Sequence, residues 1–226
     1  MPHHRQPLKI GHRGAAGHAP ENSILALKKG VELGADFVEF DVRRTSDGTL
    51  VLFHDRTLGR MTADARAVCD VPWSRLRNLE ISPGQTIPTL RDALTAISGG
   101  TGVMIELKEP HMAAEVCQAV DEVAFSGPVI YASFWHHDLL AIRRQRPSTQ
   151  TLALIEAVPV NLTAFAEEAC VTHVGLALDC VHEAYVSALH RKEMAVFVYT
   201  VDEPADIQRL AAIGVDGIIS NFPDRL

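Results

Sequence analysis

Short runs of β-branched and aliphatic residues alternate along the chain with longer stretches whose apolar positions recur every three or four residues. The runs read as strands at residues 8–11, 37–42, 50–54, 103–108, 129–134, 151–155, 173–178, 195–201 and 217–220. The stretches between them predict helices over 21–33, 89–97, 113–125, 138–144, 183–192 and 203–213, with Ile24, Leu27 and Val31 marking one apolar stripe. A shorter helix is expected over 161–170. The chain shows no low-complexity segment and no repeat of about 20–50 residues.

Nine strands are one too many for the simplest closed barrel. The second run ends at Val42, and Arg43, Arg44, Thr45, Ser46, Asp47 and Gly48 lead straight into the third. Asp-Gly between two strand-like runs signals a hairpin, and so short a link cannot be a parallel crossover. Residues 50–54 are therefore expected to return antiparallel beside the second strand. The other eight strands, with mainly helical connections, predict an α/β fold of the (β/α)8 barrel type as one domain over 1–226. An irregular insertion at about 55–85 would run over its top. An open doubly wound sheet also alternates strand and helix, but it does not usually carry polar side chains at so many successive strand ends.

Those polar side chains follow a period of two. In the second strand Val38, Phe40 and Val42 share one face, and Glu39 and Asp41 the other. In the fourth, Val103, Ile105 and Leu107 form the outer set while Glu106 and Lys108 share the inner face. Ile10 and His12 share a face, Arg13 lies in the loop beyond, and His54 ends the hairpin return. All sit near strand C-termini, where barrel active sites form.

Like charges ~4 Å apart repel by ~4 kcal/mol at an effective dielectric of about 20, so Glu39, Asp41 and Glu106 together call for a cation. Carboxylate oxygens suit Mg2+ or Ca2+, with Mn2+ as a third choice, better than zinc. The alternative is a structural ion network with Arg13, Arg43 or Lys108. Two histidines and a lysine gathered at the same strand ends favour the cation. Three carboxylates with one dication leave a single negative charge, which Arg13 and Lys108 turn into a single positive one, matched to a phosphodiester monoanion. His12 and His54 titrate near neutrality and suit acid–base work. The other nine of the 11 histidines are read as structural, with His3 and His4 in a tail and His136 and His137 opening a helix. Ser133 and Tyr199 are candidates for the substrate pocket. Ser133 has no G-x-S-x-G context to make it an acyl-transfer nucleophile, and Gly11, Gly14 and Gly17 form no dinucleotide fingerprint.

Composition narrows the field further. The 226 residues carry a net charge of −7 and are 47% hydrophobic, an ordinary globular balance without the basic surplus of a nucleic-acid or membrane-surface binder. No run approaches the ~18 apolar residues of a membrane span. Residues 1–8 lack the apolar core of a secretory signal. Cys69, Cys117, Cys170 and Cys180 are far apart and read as reduced thiols, so the expected compartment is the cytoplasm.

Taken in order, the motifs resemble those of the glycerophosphodiester phosphodiesterase family. They are His12-Arg13-Gly14, Pro20-Glu21-Asn22-Ser23, Gly34 to Val42 (GADFVEFDV), Thr45-Ser46-Asp47-Gly48 and Val51 to Asp55 (VLFHD). Leu58 to Thr62 (LGRMT), Ile87-Pro88-Thr89-Leu90, Glu106-Leu107-Lys108, Ser133-Phe134 and Gly214 to Pro223 (GVDGIISNFP) complete the series. The resemblance implies a (β/α)8 barrel that hydrolyses glycerophosphodiesters of choline, ethanolamine or glycerol to glycerol 3-phosphate and an alcohol. It implies a divalent metal on Glu39, Asp41 and Glu106, acid–base work by His12 and His54, and phosphate contacts from Arg13 and Lys108. It also implies attack by the substrate's own 2-hydroxyl through a cyclic phosphate. One departure is Tyr199-Thr200-Val201-Asp202, where the family often has W-T-V-N; it is expected to alter the aromatic wall and a polar contact near the alcohol. A lysophospholipase D acting on lipid phosphodiesters is the nearest alternative, although no exposed aromatic or basic cluster is expected. A silent headgroup-binding barrel is a third reading, against which the two histidines speak.

Overall fold

The computed structural model describes residues 6–97 and 100–226, so the expected tail histidines His3 and His4 lie outside the described residues. The strands are β1 (Leu8–Gly11), β2 (Phe37–Arg44), β3 (Leu50–Leu52), β4 (Glu80–Ser82), β5 (Gln85–Thr86), β6 (Gly102–Leu107), β7 (Val129–Ser133), β8 (Gln150–Ile155), β9 (His173–Ala177), β10 (Ala195–Tyr199) and β11 (Gly217–Ser220). The α-helices are α1 (Ile24–Glu32), α2 (Trp73–Leu76), α3 (Leu90–Ala96), α4 (Ala113–Val123), α5 (His136–Gln145), α6 (Ala164–Glu168), α7 (Glu183–His190) and α8 (Pro204–Ala212).

Eight parallel strands follow one another around a ring, β1-β2-β6-β7-β8-β9-β10-β11, and β11 pairs back to β1. That closure makes the fold a (β/α)8 barrel and excludes the open sheet. As expected, β3 runs antiparallel to the end of β2, with Val42 opposite Leu52 and Arg44 opposite Leu50. It is shorter than the sequence suggests, although the Phe53 N–H still donates to the Asp41 carbonyl at 3.0 Å. The insertion after it is more ordered than predicted. It carries helical turns at Leu58–Arg60 and Val68–Asp70, α2, and a β4–β5 hairpin. Phe53, Leu58, Val68, Leu76 and Ile81 gather there into an apolar cluster of their own. Their spacing follows no secondary-structure period, which is why the sequence pattern hides the cluster.

Helix boundaries differ where caps decide them. Helix α1 begins at Ile24 rather than residue 21, because the Ser23 hydroxyl accepts the Ala26 N–H at 3.1 Å and ends the preceding turn. Helix α6 is shorter than predicted because Asn161 turns back to accept the N–H groups of Thr163 and Ala164. His136 does open α5.

The period of two has a direct packing consequence. Val38, Phe40, Val42, Val103, Ile105 and Leu107 join the layer between barrel and helices, while Ile10, Phe37, Met104, Leu152, Phe197 and Ile219 fill the interior. Above this interior layer, at the C-terminal ends of β1, β2 and β6, the inward positions turn polar. The four cysteines are free thiols, and no helix among the described residues is long and apolar enough to cross a membrane.

Helix α1 closes on the loop after β1 through two glycines. A Cβ at Gly30 would lie 2.6 Å from the Gly14 carbonyl oxygen and 2.8 Å from a Val38 methyl. Gly30→Ala should therefore lower stability by about 1–3 kcal/mol. Thermal unfolding should show a fall in Tm of about 2–4 °C per kcal/mol; an unchanged Tm would mean that the helix can back away freely.

Candidate active site

Strands β2 and β6 lie in register with Asp41 opposite Glu106, and Glu39 precedes Asp41 on the same inward face. Glu39 and Asp41 are 4% and 1% exposed. One oxygen from each of the three carboxylates falls within 4.8 Å of the others. Asp41 is the best supported. Asn22 donates its side-chain amide to Asp41 Oδ2 at 2.8 Å and accepts the Asp41 N–H at 3.1 Å. Lys108 Nζ and Arg13 Nε each stand 3.4 Å from its oxygens.

Ionisation divides unevenly across the cluster. Burial would raise the Asp41 carboxyl, but Lys108 and Arg13 outweigh it and hold it well below the usual carboxylate range. Burial pushes Glu39 well above that range, reinforced by Asp41 and Glu106. Glu106 is pushed up to about 7 by burial and then by Asp41, against the pull of Lys108. Glu106 Oε1 pairs with Lys108 Nζ at 2.7 Å.

Arg13 and Lys108 bring positive charge to the same spot. Arg13 has a left-handed backbone, φ 50°, which turns its N–H onto Glu39 Oε2 at 2.7 Å. Its guanidinium donates to Glu21 Oε1 at 2.7 Å, and its Nε is buried with no hydrogen-bond acceptor. Arg43, the third cation of the alternative ion network, stands apart from the three carboxylates. It donates twice to the His54 carbonyl, at 2.9 and 2.7 Å, and pairs with Glu109.

The two histidines are each held by Nδ1. His12 follows β1 and places Nδ1 2.7 Å from Asn221 Oδ1. His54 follows β3 and places Nδ1 2.7 Å from Asp55 Oδ1. Burial lowers both pKa values: at His12 the Arg13 charge adds to it, and at His54 Asp41 and Asp55 partly offset it. Asp55 is held down to about 2 by its hydrogen bond to Arg60. Arg60 donates to Asp55 Oδ2 at 2.6 Å and to Glu21 Oε1 at 2.6 Å, so one insertion residue ties the partner of His54 to the partner of Arg13.

His12, Arg13, His54, Glu106, Lys108 and Tyr199 share one cleft of about 400 Å3. Tyr199 forms part of its wall, edge-on to Phe134 with ring centroids 6.3 Å apart, and donates its hydroxyl to the Ile155 carbonyl at 3.2 Å. Ser133 is not brought to the cleft. It is fully buried, donating to the Leu107 carbonyl at 2.7 Å and accepting the Trp135 N–H. Asp202 is bonded to Asn221, whose side-chain amide nitrogen donates to Asp202 Oδ2 at 2.7 Å. Reasoning from charge and period misses Glu21, Asn22, Asp55, Arg60 and Asn221. All five lie within the motifs quoted above, and Asp55 is in addition adjacent to His54.

The arrangement can hold a hard cation on carboxylates, bind an anion on Arg13 and Lys108, and present two imidazoles to it. Over residues 12–225 the chain matches the model of the glycerophosphoryl diester phosphodiesterase family. A glycerophosphodiester phosphodiesterase of Caldanaerobacter subterraneus subsp. tengcongensis is 30% identical over 241 aligned positions, covering 97% of this chain and 96% of its own. Among solved structures, an Oleispira antarctica phosphodiesterase in complex with the product sn-glycerol-3-phosphate is similar at a TM-score of 0.89. It is 26% identical and is covered over 95% of its length by 97% of this chain. The glycerophosphodiester phosphodiesterase of Thermotoga maritima is similar at a TM-score of 0.83 and 25% identity, over 97% of both chains. In sequence and in fold, the chain belongs to the glycerophosphoryl diester phosphodiesterase family, a family of enzymes.

Proposed function

We propose that this protein hydrolyses glycerophosphodiesters to glycerol 3-phosphate and a free alcohol, using a divalent cation, Mg2+ or Ca2+ before Mn2+. The observation that carries the proposal is the convergence of Glu39, Asp41 and Glu106 beside Arg13 and Lys108, in one cleft with His12 and His54. The residues fit a cation: all the ligating atoms on offer are hard oxygens, and one from each of the three carboxylates lies within 4.8 Å of the others. The relative solved with sn-glycerol-3-phosphate supports the substrate class. Free cysteines fit a reducing, cytoplasmic setting.

When bound, the cation would relieve the carboxylate repulsion and act as a Lewis acid toward a phosphoryl oxygen. Arg13 and Lys108 would bind the phosphate and stabilise the charge that develops on it. His12 Nδ1 faces a neutral amide and His54 Nδ1 a carboxylate, which favours the charged form more at His54. His12 would therefore take the proton of the substrate's 2-hydroxyl as that oxygen attacks phosphorus, and His54 would protonate the departing alcohol. Water then opens the resulting cyclic phosphate with the two roles reversed. An attacking hydroxyl on the same molecule gains an effective concentration that reaches ~10⁵ M or more when well oriented. On the outer wall, Phe134 and Tyr199 stand with the exposed carboxylates of Glu156 and Asp179, a lining that suits a cationic alcohol such as choline or ethanolamine.

One observation favours a second reading. Contrary to the sequence expectation, Phe134 (42%) and Trp135 (43%) are exposed just after β7, and Val158 (52%) and Val160 (108%) just after β8. An apolar rim of this kind fits a lipid phosphodiester, and lysophosphatidylcholine turned over faster than glycerophosphocholine would establish it.

Asp41→Asn should weaken Mg2+ binding and remove most turnover at ordinary metal concentrations. Because Glu106 holds its proton up to about 7 and must release it to ligate, affinity should rise with pH. From pH 6 to 8 calorimetry should show a gain of at least about tenfold, since Glu39 is also pushed up and must ionise to ligate. Full activity after exhaustive chelation, or a pH-independent affinity, would refute the cation assignment. A 2-deoxy analogue of glycerophosphocholine should bind and resist hydrolysis; turnover near the parent rate would show that water attacks phosphorus directly.

A further inference from the structure

Asp202 makes no contact with the cleft's charged groups, yet three donors converge on its carboxylate. The Ser220 hydroxyl donates to Oδ1 at 3.0 Å, the Asn221 N–H to Oδ1 at 2.9 Å, and Asn221 Nδ2 to Oδ2 at 2.7 Å. The Ser220 oxygen in turn accepts the Phe222 N–H at 3.0 Å, which leaves its own proton for Asp202. A carboxylate only accepts, so the amide nitrogen of Asn221 must face it. Asn221 therefore presents its oxygen to His12 Nδ1, 2.7 Å away, and that oxygen requires a proton on Nδ1.

We propose that Asp202 is a positioning residue that, through Asn221, fixes neutral His12 as the Nδ1–H tautomer and keeps Nε2 bare for proton transfer. An amide alone can turn over and offer either face to an imidazole. With Asp202 in place, turning Asn221 would set its oxygen against a carboxylate oxygen and two N–H donors toward Nδ1. His54 reaches the same tautomer directly, by its contact with Asp55. His12 reaches it at one remove, through a residue 19 positions before Asn221 in the chain.

The test is the nitrogen chemical shifts of His12, read from long-range proton–nitrogen correlation in the 15N-labelled full chain at a pH where the ring is neutral. The expected spectrum has a protonated Nδ1 and a bare Nε2. In Asp202→Asn the new amide takes Ser220 and Asn221 N–H on its oxygen and sets its nitrogen against Asn221 Nδ2. Asn221 then turns over and the His12 proton moves to Nε2. For that variant kcat should fall by about ten- to a hundredfold, at and below the lower end of the ~10²–10⁴ range of acid–base assistance, with KM little changed. The double variant D202N/N221D restores the pattern, because a carboxylate at 221 accepts from both His12 Nδ1 and the amide at 202; tautomer and kcat should recover together. A wild-type His12 carrying its proton on Nε2, or a folded D202N with the wild-type tautomer, would overturn the proposal. A wild-type ring protonated on Nε2 overturns the proposal even where a variant does not fold. The kinetic arm rests on the phosphodiesterase reading and fails with it, whereas the spectra do not depend on turnover.

Discussion

Two buried carboxylates and one half-buried, within 4.8 Å of one another at the mouth of a barrel, repel strongly and lose much of their hydration. Around them the site reads as a set of answers to that one constraint. Asn22 and the charges of Arg13 and Lys108 keep Asp41 ionised. Glu39 and Glu106 resist ionisation, because burial and Asp41 oppose it and the positive charge beside them does not balance three carboxylates. A dication on these oxygens would complete the balance, and the surplus would then match one phosphodiester anion. The proposed substrate charge and the proposed metal thus rest on the same count of residues.

The same charges organise the elements around them. Arg13 binds Glu39 by its backbone N–H and Glu21 by its guanidinium, which ties the loop after β1 to β2 and to the start of α1. Arg60 extends the chain of contacts from Glu21 to Asp55, and so to His54. The insertion that carries Arg60 has its own apolar cluster. It is thereby a stable arm that sets the position of a histidine from outside the barrel. His12 receives the corresponding support from β11 and the segment after β10, through Asn221 and Asp202.

What the sequence pattern reveals depends on the range of the interaction. Val38, Phe40 and Val42 against Glu39 and Asp41 are readable because a strand's period places neighbours on opposite faces, and the Asp47-Gly48 turn identifies β3 because hairpins are local. Ser133 at a strand end looks like a pocket residue, and only the packed structure shows its hydroxyl spent on Leu107 and Trp135. Glu21, Asp55 and Arg60 come together across 39 residues of chain, with no periodic signal to link them. The apolar cluster of the insertion and the exposed Trp135 and Val160 are hidden for the same reason, since burial there depends on contacts between distant segments.

The central claim is that one divalent cation resides on Glu39, Asp41 and Glu106. Anomalous diffraction from crystals soaked in Mn2+ at a pH above 7 tests it most directly. A single strong peak is expected in contact with an oxygen of each of the three carboxylates, lost in an Asp41→Asn crystal soaked in the same way. No peak among them, with Lys108 still seated between Asp41 and Glu106, would contradict it.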